Sequence, residues 1–365
     1  MKKTIPLAYV TMLALLLAAA LSVLVFSGPK SSELENRTLA DPPMLTGESF
    51  SSGLFADQTE AFAEDHFPLR DQAVMLNATV NHLLGMTARQ NVSLGPKGFF
   101  FDTSDGWSRR NVDLNLQAVQ EIHEAAGIPT VVALVPSSGL ILAGSLPEKP
   151  ASGDRDELYA AEIPEGVLRV DLRETLGTAP DPEALYYRTD HHWTLDGAAL
   201  GYRAVCGALG LDPEPVSVRA AFPGFRGTLY ARFPTLLAPE DTLLLPEVDH
   251  GIRLRIGEEE MDGLYDPEAM RKRDKYAALL YGNHGIVTLE NDASSGVLFV
   301  LRDSYANALL PLLARHYGKI IAADPRYYTG DILSEIHESE ADELLCLFGM
   351  ASFSQSRALS LLDGL

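Results

Sequence analysis

Cysteine is almost missing from this sequence. Two residues in 365, Cys206 and Cys346, cannot build a disulfide scaffold. Both sit in apolar surroundings, GYRAVCGALG and ELLCLFG, and read as small core residues; a single bond between them is compatible with an oxidising compartment. Basic residues are also scarce, with 29 Lys and Arg against 50 Asp and Glu and a formal net charge of −21. An acidic surface repels phosphates, which argues against nucleic acid as a partner. Metal-ligand spacing is lacking too. His66, His123, His250, His284 and His316 are scattered, and no H-x-x-x-H or H-E-x-x-H occurs. Internal repeats and low-complexity tracts are absent. With 46% hydrophobic and 22% charged residues, the chain can build a sizeable core without metals or disulfides.

One long hydrophobic run is present. Lys2 and Lys3 precede an almost uncharged stretch from Ile5 to Phe26, about the 20 residues that cross a bilayer core. The small residues at 18–20 are followed by further apolar ones, SVLVF, which is unlike a cleavage site. The reading is an uncleaved membrane anchor over 1–27, its N-terminus cytoplasmic and the rest extracytoplasmic. A polar, Pro- and Gly-containing linker, 28–53, then leads to a domain over 54–365.

The pattern of that domain is α/β. Residues 54–88 predict two helices broken at HFPLRD, and 91–102 a hairpin turning at GPKG. A helix over 112–126 ends at Gly127 and leads into the apolar strand IPTVVALVP. Further strands are predicted at 167–174, 296–304, 319–324 and 342–349, with helices at 195–209 and 305–318. Helices alternating with fully apolar strands predict a three-layer α/β/α domain with a mostly parallel sheet. The stretch 213–275 reads as a β-rich insertion outside that sheet.

Three places could carry chemistry. Ser304 lies at a strand-to-helix junction, VLFVLRDSYANALL, where a hydroxyl meets free N–H groups at the ligand edge of an α/β sheet. It could be a nucleophile, although the junction lacks G-x-S-x-G; equally, Asp303 or Ser304 could simply cap the helix. In Asp190-His191-His192-Trp193 the Asp-x-His spacing sets Asp190 and His192 on one side of the chain. A carboxylate there could fix the tautomer of a histidine base. The alternatives are a metal site, for which adjacent histidines diverge, and a polar turn. Gly282 and Asn283 could be oxyanion donors or an ordinary turn dipeptide.

Together these motifs resemble the bacterial DHHW family, which is related to the alginate O-acetylation proteins of the SGNH-hydrolase-like group. The resemblance rests on ENRTLADPP (35–43), DHFPLRDQAV (65–74), LGPKGFFF (94–101), TDHHWTLDGA (189–198), FRGTLY (225–230), KYAALLYGNHG (275–285) and the run from Arg302 to Tyr328. It implies an SGNH-like fold and a Ser-His-Asp triad working on O-acetyl groups of carbohydrates without a cofactor. Ser304 would be the nucleophile, His192 the base and Asp190 its orienter. Gly282 and Asn283 would join the Ser304 N–H in stabilising the oxyanion. Arg326 and Tyr328 would contact an acetyl donor or sugar, with His191 and Trp193 as neighbours on the substrate side. The usual glycine before the Asp-Ser pair is replaced by Arg302. The implied activity is a polysaccharide O-acetyltransferase or acetylesterase, supplied by a multi-pass membrane acyltransferase. The rival is a non-catalytic glycan-binding or assembly component on the same fold.

Overall fold

Residues 10–11, 29–146, 159, 161–248 and 251–362 are described by the computed structural model. The apolar run 5–26, read as a membrane anchor, therefore lies outside the described residues apart from Val10 and Thr11. Among the described residues no helix is long and apolar enough to cross a membrane.

The chain divides into two compact units. The first comprises the described residues up to Thr87 together with Ala231–Ala238. It holds helices α1 (Gly47–Ser52), α2 (Leu54–Asp65) and α3 (Arg70–Leu83). The α2/α3 break falls in HFPLRD as the proline predicts, with Leu69 at φ 61°. Part of the stretch read as a linker is folded: Ser31–Ser32 pairs with Arg37–Thr38, and Thr46 caps α1 in a capping box.

The second unit, residues 88–230 and 239–365, carries the α/β sheet. Its elements are α4 (Arg109–Ala126), β1 (Thr130–Val135), β2 (Val167–Val170), α5 (Leu195–Ala208), β3 (Arg253–Ile256), β4 (Glu259–Glu260), β5 (Ile286–Glu290), β6 (Val297–Arg302), β7 (Lys319–Ala323), α6 (Ile332–Glu338), β8 (Glu343–Gly349) and α7 (Met350–Gln355). The sheet runs β4-β3-β5-β7-β6-β8-β1-β2. Strands β7, β6, β8, β1 and β2 are parallel, and β5, β3 and β4 extend one edge antiparallel.

Apolar side chains on both faces of these strands make the layers. Val131, Ala133 and Val135 of β1 and Leu298 and Val300 of β6 pack into one core with Tyr202, Val205 and Cys206 of α5. Val132, Leu134, Phe299 and Leu301 face the other core, with Val112, Val119 and Ile122 of α4 and Ile332 of α6. Each such aliphatic side chain contributes roughly 1.5–3 kcal/mol by burial. Cys206 and Cys346 are free and lie in different cores, on opposite faces of the sheet.

Two elements differ from the pattern. The stretch 213–275 is only partly separate from the sheet: Val218–Phe225 and Asp241–Pro246 form their own ribbon, whereas β3 and β4 join the sheet through β5. The helix expected over 305–318 is two short pieces, a 3-10 turn Ser304–Ala308 and an α-helical turn Leu310–Leu313. Pro311 explains the break, because it has no N–H with which to continue the turn.

Candidate active site

The C-terminal ends of β6 and β7 bring Ser304 and Arg326 to the edge of the sheet where α/β folds bind ligands. Asp303, not Ser304, caps the 3-10 turn. Its Oδ1 accepts from the Tyr305 N–H at 2.9 Å, and its Oδ2 accepts from the Gly349 N–H at 2.8 Å and from the Ser352 hydroxyl. Burial, the largest influence, raises the Asp303 carboxyl, opposed by Arg326 and these hydrogen bonds. With the capping task taken by Asp303, the Ser304 hydroxyl is directed elsewhere.

It points to His192. Ser304 Oγ lies 2.8 Å from His192 Nε2, and His192 Nδ1 lies 2.5 Å from Asp190 Oδ1. The Asp-x-His geometry arises from a tight turn, not an extended strand, since the His192 N–H also donates to Asp190 Oδ1 at 2.9 Å. Asp190 is fully buried, and its Oδ2 accepts from the Thr228 N–H at 2.7 Å and the Thr228 hydroxyl at 3.0 Å. Burial alone would raise this carboxyl; His192, His191 and the hydrogen bonds outweigh it and hold the group well below the usual carboxylate range. A carboxylate on Nδ1 fixes the proton there and leaves the Nε2 lone pair for the serine O–H. The Tyr276 ring stacks on His192, centroids 3.7 Å apart and planes 7° apart, and its hydroxyl donates to the Ser304 carbonyl at 3.0 Å. These three side chains thus form one hydrogen-bonded row able to pass a proton from hydroxyl to imidazole.

Gly227 makes room for the carboxylate. A Cβ at this position would overlap the Asp190 side chain. Gly227→Ala is therefore expected to displace Asp190, cost about 1–3 kcal/mol of stability, and lower turnover at least tenfold; thermal melts and steady-state kinetics of the variant check both.

Asp274 is a part-buried carboxyl in this neighbourhood. Burial first, then the Asp190 charge, raise it to about 7. Its folded value thus exceeds the unfolded one of ~3.9. The stability it contributes is complete below that unfolded value and is lost as pH rises through about 7. Asp274→Asn is expected to be more stable than wild type at pH 8, by an amount on the order of 2 kcal/mol, and no more stable at pH 4. Melting curves at the two pH values measure the difference.

The remaining candidates are placed as follows. His191 Nδ1 lies 2.7 Å from Thr228 Oγ1, and burial, then the neighbouring His192, push His191 down to about 4. It lines a small cavity with Tyr305, Ser137 and Trp107. Asp190, His191 and His192 have potential ligand atoms within 4.8 Å of one another, but hydrogen bonds already occupy both ring nitrogens of His192 and both oxygens of Asp190. Trp193, expected on the substrate side, is instead fully buried, its indole N–H donating to the Tyr305 carbonyl at 3.1 Å. Gly282 also departs from its expected role as a donor: with φ 93° it closes a turn, and its N–H is engaged by the Leu279 carbonyl at 3.1 Å. Asn283 is exposed beside it. Arg326 and Tyr328 share an open cleft of about 590 Å³ that no member of the Ser304 row lines. The Arg326 guanidinium there grips buried Asp324 through two hydrogen bonds, at 2.9 and 2.6 Å. Thr228, Tyr276, Tyr305 and Asn307 were not singled out by the sequence. All four nevertheless lie inside quoted stretches: Thr228 in FRGTLY, Tyr276 in KYAALLYGNHG, and Tyr305 and Asn307 in the run from Arg302 to Tyr328.

The comparisons agree with the resemblance seen in the motifs. Residues 103–221 match the ALGX family, described as the SGNH hydrolase-like domain of the acetyltransferase AlgX. A protein named probable alginate O-acetylase AlgJ, from Pseudomonas syringae pv. tomato, is 26% identical over 216 residues, which cover 54% of this chain and 55% of that protein. The protein of the same name from Pseudomonas aeruginosa is 26% identical over 169 residues, covering 44% and 42%. The chain thus spans about half the length of the relatives it matches by sequence. Among solved structures, a DHHW family protein from Eubacterium siraeum is similar with a TM-score of 0.59 at 21% identity, over 73% of this chain and 97% of that one. Bacillus cereus PatB1, solved with a sulfonyl adduct, has a TM-score of 0.61 at 17% identity, over 74% and 98%. These likenesses show an SGNH-like α/β fold with a large, mostly parallel sheet.

Proposed function

We propose that this chain is an acyl-ester enzyme, an O-acetyltransferase or acetylesterase of an exported or cell-surface polysaccharide, working through Ser304, His192 and Asp190. The observation that carries the reading is the 2.8 Å contact between Ser304 Oγ and His192 Nε2, with Nδ1 held by a buried carboxylate. His192 takes the Ser304 proton as Oγ bonds to the carbonyl carbon of an acetyl ester. The carbonyl oxygen becomes an oxyanion facing the Ser304 N–H and the Asn283 amide. As the intermediate collapses, His192 gives the proton to the departing alcohol oxygen and the acetyl group remains on Ser304. Water, or a sugar hydroxyl, then loses its proton to His192 and attacks the acyl-serine. The ester bond to Oγ breaks, and the serine recovers its proton.

The SGNH-like fold and the names of the relatives favour carbohydrate acetyl groups as substrate. Under this reading Arg326, Tyr328 and His191 contact the glycan or the acyl donor. The run from Ile5 to Phe26 holds the α/β domain on the outer side of the membrane, where a multi-pass acyltransferase supplies acetyl groups. The test is release of p-nitrophenol from p-nitrophenyl acetate by wild type and by Ser304→Ala; wild-type turnover no faster than that of the variant overturns the reading.

A further inference from the structure

Arg302 occupies the last position of β6, two residues before Ser304, where the resemblance leads one to expect glycine. It is completely buried, and burial, its largest influence, pushes the guanidinium below its ordinary value. A cation in such a place is costly unless it is paired and hydrogen-bonded. Its Nη1 donates to Asn307 Oδ1 at 2.7 Å, while Nε and Nη2 have no hydrogen-bond partner among the described residues. Asn307, 1% exposed, donates in turn from Nδ2 to Asn283 Oδ1 at 3.3 Å and to the Gly282 carbonyl at 3.4 Å.

The direction of this run is set at its buried end. A guanidinium has only donors, so it can face only the oxygen of the Asn307 amide. The Asn307 nitrogen must then face the loop at 282–283, where the side-chain group able to receive it is the Asn283 oxygen. The Asn283 nitrogen is left pointing away from Asn307. On a 3-10 turn, side chains three apart eclipse one another. Asn307 is three residues after Ser304 on such a turn, so the loop it ties down is held beside the serine.

We propose that Arg302 is a positioning residue which, through Asn307, fixes the Asn283 amide with its nitrogen outward as an oxyanion donor. The proposal rests on the acyl-ester reading of the Ser304 site. Without Arg302 both amides can turn over, and a reversed Asn283 presents an oxygen to the oxyanion.

Two variants of the full chain test this. Arg302→Met preserves the aliphatic stem and removes the donors; kcat on p-nitrophenyl acetate is expected to fall roughly 10- to 100-fold with KM within about twofold, since the donor acts in the transition state. Asn307→Asp keeps an acceptor for Arg302 as an ion pair but offers no donor to Asn283. The same fall in kcat is expected, with Tm no lower than wild type, which a merely structural role would not give. Wild-type kcat in either variant overturns the proposal. A readout independent of activity is solvent exchange of the Asn307 side-chain amide by NMR: at least about tenfold protection in wild type is expected, and its loss in Arg302→Met. Equal exchange in the two overturns the relay. A wild-type chain without ester turnover, but with protection lost in Arg302→Met, overturns the acyl-ester reading, and the oxyanion role of Asn283 falls with it.

Discussion

Ser304→Ala is expected to lower turnover of p-nitrophenyl acetate by about 10⁴-fold or more, and His192→Ala by a comparable factor. Both follow from the same contact. A serine hydroxyl is a poor nucleophile until a base takes its proton, and in the proposed mechanism that base is His192 Nε2, 2.8 Å from Ser304 Oγ. The two side chains act as a unit, so the double variant is expected to be no worse than either single one. Stability should be little affected by the serine change. Ser304 is 8% exposed, and the adjoining turn is capped by Asp303; losing one hydrogen bond costs about 1 kcal/mol. Kinetics and melts of the three variants separate this from a capping role, which would reduce Tm and leave turnover intact. A fall below tenfold in both single variants would place the acyl chemistry on another group.

That contact spans 112 residues, yet both of its ends were legible in the sequence. Asp190 and His192 lie two apart, so local geometry brings them together, and the VLFVLRDS pattern marks Ser304 as the residue leaving a buried strand. The apolar strands and capped helices were legible for the same reason: Thr194 caps α5 and Gly127 ends α4 through interactions within one turn. What the sequence did not reveal depends on distant pairing. Thr228 reaches Asp190 from 38 positions away, and Tyr276 stacks on His192 from a 3-10 turn, Tyr276–Ala278, too short for a periodic signal. For Gly282 the turn, one of the two readings that Gly-Asn allows, is the one that engages its N–H. The insertion was misjudged because β3 reaches the sheet only through its antiparallel pairing with β5. The break at Pro311, by contrast, has a local cause that the sequence itself carries, the missing proline N–H.

Asp190→Asn is expected to cost about 10³- to 10⁴-fold in turnover, and more in stability than Ser304→Ala. Every contact of this carboxylate is with a donor: the His192 N–H and Nδ1 on Oδ1, the Thr228 N–H and hydroxyl on Oδ2. An amide must place its NH₂ against one of these pairs. Set against Thr228, it leaves a buried N–H facing a donor. Set against His192, it favours the imidazole tautomer with its proton on Nε2, which then faces Ser304 as a donor and cannot act as base. Gly227 packs against this carboxylate, so the side chain cannot swing away from either conflict. Losing the charged acceptor and leaving a buried donor unmatched costs about 1.5–3 kcal/mol. The pH dependence identifies the cause. The folded-state pKa of Asp190 is depressed, so its contribution is complete above the unfolded value of ~3.9 and is lost as pH falls through the lower folded value. Asparagine has no such titration. The stability gap between wild type and variant, measured by denaturant unfolding, should therefore narrow as pH is lowered below about 4, while a gap of constant size would trace the loss to packing alone.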